Sequence, residues 1–176
     1  MKEIKDYREI STKKGDKGTS KNYSNEEFSK SDLLFETLGT MDELTSHLGL
    51  CYHTGKYQEE IQKIQKNLQD INSLIATSDP QVRISKLRPI TEDDIAFLEN
   101  LEHTILASCE ITPSFVLPGS DTSQEGAVFD LARAIARRAE RVLVKFVFEH
   151  KRDDLSLVSA YVNRLSDLLF IMARSL

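Results

Sequence analysis

The ten residues Ala132-Arg-Ala-Ile-Ala-Arg-Arg-Ala-Glu-Arg141 decide how the chain folds. They sit at the centre of Thr122 to Phe148, a segment that reads as one long helix. Pro118-Gly119 breaks the chain just upstream, and Thr122 followed by Glu125 has the spacing of a capping box. Val128, Leu131, Ile135, Ala139, Val142 and Phe146 recur at steps of three and four. At about 100° per residue they form one apolar stripe. Arg133, Arg137 and Glu140 fall on the opposite side, and Arg138 sits beside the stripe. A face of that kind is ordinarily solvated. This one also carries Phe129, Val144 and Phe148, and Glu140 lies one turn from Arg137, where it can orient a guanidinium. The segment predicts burial on one face and anion binding on the other.

Working outward, Glu149 to Asp154 is a polar turn and Leu155 to Arg174 is the last helix. Val158, Tyr161, Val162, Leu165, Leu168, Leu169 and Met172 face inward there, with Asn163 and Asp167 one turn apart off that stripe. Upstream, Asp32 to Tyr52 reads as the first helix, on the stripe Leu34, Leu38, Met41, Leu44 and Leu48. Lys56 to Ala76 keeps the same rhythm through Tyr57, Ile61, Ile64, Leu68, Ile71 and Ile75 or Leu74, and its polar remainder is assigned a structural role only. Asp79 to Pro89 reads as a connection punctuated by Pro80 and Pro89. Thr91 caps a further helix, with Glu92, Asp93 and Asp94 at the positive end of its dipole. Its stripe is Ile95, Leu98, Leu101 or Glu102, Ile105 and Leu106. Five helices on short connections predict an all-α, five-helix up-and-down bundle. The chain is one domain over 1–176, in which a polar segment, 1–31, leads into the helices of 32–176.

A net charge of −5 excludes nucleic-acid binding by overall field, so any anion site must be local. Cys51 and Cys109 lie far apart with no metal spacing, which reads as two reduced, buried thiols. His47, His53, His103 and His150 have no partners in sequence and read as surface residues. The charged start Met-Lys-Glu-Ile-Lys-Asp-Tyr is no secretion signal, and no uninterrupted apolar run has the length of a bilayer span. The expectation is a cytoplasmic protein with no membrane and no nucleic-acid partner.

Two loops stand out. Ser11-Thr-Lys-Lys-Gly-Asp-Lys-Gly-Thr-Ser20 offers backbone N–H groups, hydroxyls and ammonium charges to a phosphate chain, although it lacks the ending and spacing of a Walker A loop. A disordered basic tail is the alternative. Pro113-Ser-Phe-Val-Leu-Pro-Gly-Ser120 cannot be helical; its apolar residues either plug the core or make a rigid wall for a ligand.

Taken together, four segments resemble the PduO-type ATP:cob(I)alamin adenosyltransferases, the corrinoid adenosyltransferase family. They are Thr12-Lys-Lys-Gly-Asp-Lys-Gly-Thr19, Gly39-Thr-Met-Asp-Glu-Leu-Thr-Ser46, Phe115-Val-Leu-Pro-Gly119 leading into 132–141, and Asn163-Arg-Leu-Ser-Asp-Leu-Leu-Phe170. The resemblance implies transfer of the 5′-deoxyadenosyl group of ATP to the cobalt of cob(I)alamin, with Mg2+ carried on the ATP phosphates. It implies a homotrimer with sites at the subunit interfaces. A reductase and an adenosylcobalamin-dependent client enzyme are the further partners it admits. By that resemblance Thr12, Lys13, Gly15, Asp16, Lys17, Gly18 and Thr19 match the ATP loop, and Lys30 a lysine that reaches the phosphates. Arg133, Arg137, Glu140 and Asn163 fall at the nucleotide. Asp42 matches an acid that pairs with Arg133 across the interface, and Phe115 the phenylalanine that lines the lower face of the corrin. Ser120, Thr45, Leu34 and Lys13-Lys14 depart from the family's usual residues, mostly on the corrin side. A degenerate member that carries nucleotide or corrinoid without catalysis is the competing function, and a purely structural helical module a third.

Overall fold

The computed structural model describes residues 4–112 and 114–176. Met1-Lys2-Glu3 of the charged start and Pro113 of the apolar loop lie outside the described residues. Among the described residues there are six α-helices: α1 (Leu33–His53), α2 (Gln58–Ile75), α3 (Pro80–Lys86), α4 (Glu92–Leu106), α5 (Gln124–His150) and α6 (Ser156–Arg174). The count corrects the expected five, because 79–89 is not a plain connection. Asp79 accepts hydrogen bonds from the Gln81 and Val82 N–H groups and Pro80 sits in the first turn, so seven residues coil into α3. The polar 1–31 segment is not featureless either. It holds a two-stranded antiparallel hairpin, β1 (Thr19–Lys21) and β2 (Glu27–Ser29), with Ser20 opposite Phe28.

The direction of each long helix follows from the residues that meet. Cys51 Sγ reaches the Val128 carbonyl at 3.9 Å, Arg138 pairs with Glu43, and His150 comes within 3.8 Å of Asp32, so α1 and α5 are antiparallel. Arg174 meets Asp130 and Asn163 meets Glu140, so α6 runs back along α5. Tyr57 bonds Ser175, Asn67 donates to Tyr161, and Arg152 donates to the Leu74 carbonyl, so α2 opposes α6. Helix α4 runs alongside α6, with Glu99 paired to Arg164. The five longer helices thus alternate up and down.

The core is continuous through α1, α2, α4, α5 and α6, and the fully buried residues include Leu44, Ile64, Leu98, Leu143 and Leu165. Helix α6 is long and apolar enough by composition to cross a bilayer, yet half of that stretch is buried inside the bundle; it is a core helix. One polar knot crosses the core. Asn67 donates to Tyr161 at 3.2 Å and lies 3.4 Å from Asp94, which Arg88 and the Thr91 cap also hold. Burial pushes the Asp94 carboxyl up, but its hydrogen bonds win and hold it below the usual range. Cys51 is buried, its thiol pushed up to about 12, so it is inert; Cys109 is half-buried and also free.

Helix α5 departs from its predicted stripe. The three-four rhythm holds, but the buried line is Phe129, Ala132, Ala136, Ala139, Leu143 and Phe146, with Ile135 beside it. Leu131 is exposed and Phe129, expected on the arginine side, is fully buried. Small alanines carry little weight in an apolar pattern, yet they face the seam because α1 and α6 both close on α5. The start also differs. Ser123, not Thr122, is the cap, its hydroxyl accepting from the Gly126 N–H at 2.8 Å; Thr122 instead accepts from the Gly119 N–H and holds the turn before the helix. A Cβ at Gly126 would lie 2.8 Å from the Ala173 carbonyl oxygen, so α5 and α6 touch here backbone to backbone.

Two outcomes follow from this packing. Gly126→Val should cost about 1–3 kcal/mol, because a backbone carbonyl must give way. Urea unfolding reads it, and an unchanged midpoint would refute the close contact. Between α4 and α6, Glu102 Oε1 is buried with no hydrogen-bond partner. Burial first, then the negative charge of Asp167, push its carboxyl above the usual range; Glu99 adds to this, and Arg164 and His103 oppose it. A carboxyl raised in the folded state contributes stability where it is protonated and loses it as pH rises through the folded value. Glu102→Gln should therefore be more stable than the parent at pH 7, with the gap closing toward pH 4. A gap that grows toward pH 4 would contradict that sign.

Candidate functional site

The predicted site residues fall in four places. The first is the N-terminal loop. Lys13 and Gly18 take left-handed backbone (φ 57° and 80°), and the turns close through Asp16 N–H to the Lys13 carbonyl and Gly18 N–H to the Gly15 carbonyl. The hairpin then brings Lys30 back, its N–H donating to the Gly18 carbonyl at 2.8 Å. Its side chain lies over Gly15 so closely that a Cβ there would stand 2.6 Å from Lys30 Nζ. Lys30 and the glycine loop, distant in sequence, thus form one basic unit. A cavity of about 430 Å³ opens on Thr12, Lys14, Gly15, Thr19, Ser20, Lys21 and Glu27. Lys13, Asp16 and Lys17 are exposed around it, and the Thr19 hydroxyl is tied to Glu27 at 2.6 Å.

The second place is the seam of α4, α5 and α6. Arg133 and Arg137 share a cavity of about 370 Å³ with Leu106, Ile111, Ser166, Asp167, Phe170 and Ile171. Arg133 is half-buried, and its Nε donates to Asp130 Oδ1 at 2.7 Å. Asp130, which the sequence pattern passed over, is only 5% exposed and also accepts from Arg174 Nη2 at 3.1 Å. The only sequence signal for it is an acid one turn before an arginine. Glu140 does not orient Arg137 within the chain. It accepts from Asn163 Nδ2 at 2.8 Å, while Asn163 Oδ1 accepts from Arg164. The acid is closer to the amide across the α5–α6 seam than to its own helix neighbour. Arg137 is exposed at the cavity, with no carboxylate paired to it among the described residues.

The third place is the loop after α4. Phe115 is 92% exposed, which excludes the core-plug reading within one chain. The loop is nonetheless ordered by its own bonds: Asp121 accepts from the Leu117 N–H at 2.9 Å and Thr122 from the Gly119 N–H. An aromatic ring is held out on a braced turn.

The fourth place holds Asp42. It is exposed on α1 and lines a groove of about 960 Å³ between α1 and α2 with Phe35, Gly39, Gln65, Lys66 and Tyr23. The polar face of α2, assigned no chemistry from sequence, therefore shares a surface with a predicted site acid. Asp42 and Arg133 do not meet within one chain, since Arg133 takes Asp130 and lines a different cavity.

The loop and the arginines stand at different levels of the bundle, the arginines near the middle of α5. The hairpin is tied to the end of α2 through Tyr23 N–H on the Ala76 carbonyl and Ser78 on Glu26, beside the start of α1 and the end of α5. From His150 at that end, Arg133 lies about 25 Å away along the α5 axis.

Compared with known proteins, residues 10–176 match the family model described as Cobalamin adenosyltransferase. The chain is 38% identical over 172 residues to the corrinoid adenosyltransferase MMAB of Bos taurus, across 94% of this chain and 70% of that protein. It is 35% identical over 168 residues to a corrinoid adenosyltransferase of Citrobacter freundii, across 94% of this chain and 93% of that one. Among solved structures, a phenylalanine-to-alanine variant of the PduO-type ATP:corrinoid adenosyltransferase of Lactobacillus reuteri, complexed with cobalamin and ATP, matches with a TM-score of 0.83 at 30% identity. That match covers 94% of this chain and 92% of the other.

Proposed function

The chain belongs to the cobalamin adenosyltransferase family, and from that premise we propose how its residues divide the work of the reaction. It is an ATP:corrinoid adenosyltransferase, which moves the 5′-deoxyadenosyl group of ATP onto the cobalt of cob(I)alamin and releases triphosphate. The observation that carries this reading onto named residues is the pair Arg133 and Arg137 in one half-open cavity. A helix bundle needs no such pair for its core, whereas a polyphosphate leaving group does.

Reduced cobalt is itself a strong nucleophile, so the protein's task is positioning and charge stabilisation rather than proton transfer. Arg133 and Arg137 hold the triphosphate, which gathers about four negative charges as the C5′–O bond breaks. The loop Thr12, Lys13, Gly15, Asp16, Lys17, Gly18 and Thr19, with Lys30 folded onto it, cradles the same nucleotide through backbone N–H groups and ammonium charge. Asn163 presents its amide to the nucleotide in an orientation that Glu140 sets. Magnesium rides on the phosphates. Phe115, held outward on its braced turn, supplies an apolar wall for the corrin that keeps water from the cobalt.

Loop and arginines lie apart within a chain, His150 at the hairpin end of α5 being about 25 Å of helix from Arg133, and this supports a site shared between chains. The site therefore forms between protomers of a homotrimer, where Asp42 of one protomer meets the terminal nitrogens of Arg133 of the next. The protein works in the cytoplasm, with a reductase delivering the electron and a client enzyme taking the product.

The test is spectroscopic. Purified protein, ATP, magnesium and chemically reduced cobalamin are mixed without oxygen, and the corrin absorbance is followed. A light-sensitive cobalt–carbon product is expected; ATP binding with a static cob(I) spectrum would sink the assignment. Arg133→Ala should lower turnover about a hundredfold, while Lys86→Ala, on α3, stays within about twofold of the parent. Equal activity of Arg133→Ala and parent would overturn the arginine role.

A further inference from the structure

We infer that Asp130 is the positioning residue for Arg133, with Arg174 as the cation that fixes it from α6. This deepens the function proposed above and rests on Arg133 holding the nucleotide's phosphates. The residue is buried, and both donors converge on the same oxygen, Oδ1, at 2.7 Å from Arg133 Nε and 3.1 Å from Arg174 Nη2. A buried carboxylate is costly unless charged donors compensate it. Here two cations surround it, so the group carries a surplus positive charge rather than a neutral pair.

The geometry of the guanidinium makes the arrangement useful. Five N–H donors lie in one plane. Asp130 takes the Nε edge, so the Nη1 and Nη2 end of Arg133, which no other acceptor holds among the described residues, faces the cavity shared with Arg137, where its four N–H donors serve both the nucleotide and the neighbouring protomer's Asp42. With Nε anchored one turn back on the same helix, the plane and direction of the remaining donors are set before any ligand arrives. Asp130 cannot drift, because Arg174 is itself only 10% exposed and stacks its guanidinium over Phe170, 5.3 Å from the ring centroid. Phe170 lines the same cavity. The chain from α6 to Arg133 is thus packed at each link.

The alternative is that Asp130 only ties α5 to α6. A double-mutant cycle separates the two. Binding of magnesium-ATP to the intact protein is measured by calorimetry for the parent, Asp130→Asn, Arg133→Met and the double variant, with the thermal midpoint of each alongside. If Asp130 acts through Arg133, Asp130→Asn weakens ATP binding about tenfold in the parent, and the same change has little effect once Arg133 is Met. Arg174→Met, which keeps the Asp130–Arg133 bond, lowers the midpoint while moving ATP affinity about threefold at most. A penalty of equal size in both backgrounds, or parallel losses of affinity and midpoint in Asp130→Asn and Arg174→Met, would make Asp130 a helix tie only. Should Asp130→Asn fail to fold, Asp130→Glu keeps the charge, shifts the carboxylate by one methylene and carries the same cycle. Failure of the wider function is distinguishable. A parent protein that binds no ATP or forms no alkylcobalamin removes the premise, whereas an active parent with an additive cycle overturns only the role of Asp130.

Discussion

The close approach of α5 to α1 and α6 is the constraint on which the rest of the molecule depends. Ala132, Ala136, Ala139 and Gly126 line the contact, and at Gly126 the neighbouring backbone is near enough to exclude a methyl group. Interiors are packed too densely to absorb bulk in such a seam. Side chains of α5 that are long and charged must therefore leave along its edges. Arg133, Arg137 and Arg138 do so, and each emerges at a position fixed by helix packing rather than by a mobile loop. The proposed binding surface is a by-product of how tightly three helices close.

Charge follows the same geometry. The chain is acidic, at −5, yet the α5 seam is locally positive. Arg138 is matched by Glu43 and lies on the α1 side. On the α6 side Asp130 faces both Arg133 and Arg174, and at the cavity Arg137 adds a further cation and Asp167 a further acid. A partly desolvated cluster of this kind attracts anions far more strongly than the same charges on an open surface. The acidic remainder of the molecule confines that attraction to one place.

The helices were legible because large apolar residues repeat at helical steps, and α1, α2 and α6 bury nearly the stripes their sequences predict. The phase of α5 was not legible. Its buried line is written in alanines, and an apolar pattern weighted by size chose Leu131 and Val142 instead. Helix α3 escaped because proline marks both a helix start and a loop. The arginines and Asn163 could be named from sequence, but their partners could not. Glu140 turns to Asn163 rather than to Arg137, and Asp130 is recognisable only once α6 has brought Arg174 against it. Periodicity reports which face is buried; it says nothing of which polar group across a seam comes nearest.

The separation of loop and arginines has a further structural consequence. Helices do not shorten, so the distance along α5 from the hairpin end to Arg133 is set by residue count, about 25 Å. The hairpin is tethered to that end by Tyr23 and by Ser78, and Lys30 ties the loop to the hairpin. In the proposed assembly a nucleotide gripped by both lies between two copies, the loop end of one against the seam of the next. Two different patches then face each other, and where such a contact is heterologous it closes as a ring. The proposed homotrimer is a small ring that gives every protomer one loop contact and one seam contact. The proposed junction takes in Asp42 too: its groove lies on α1 and α2, away from its own Arg133, so that a pairing of the two acts between copies.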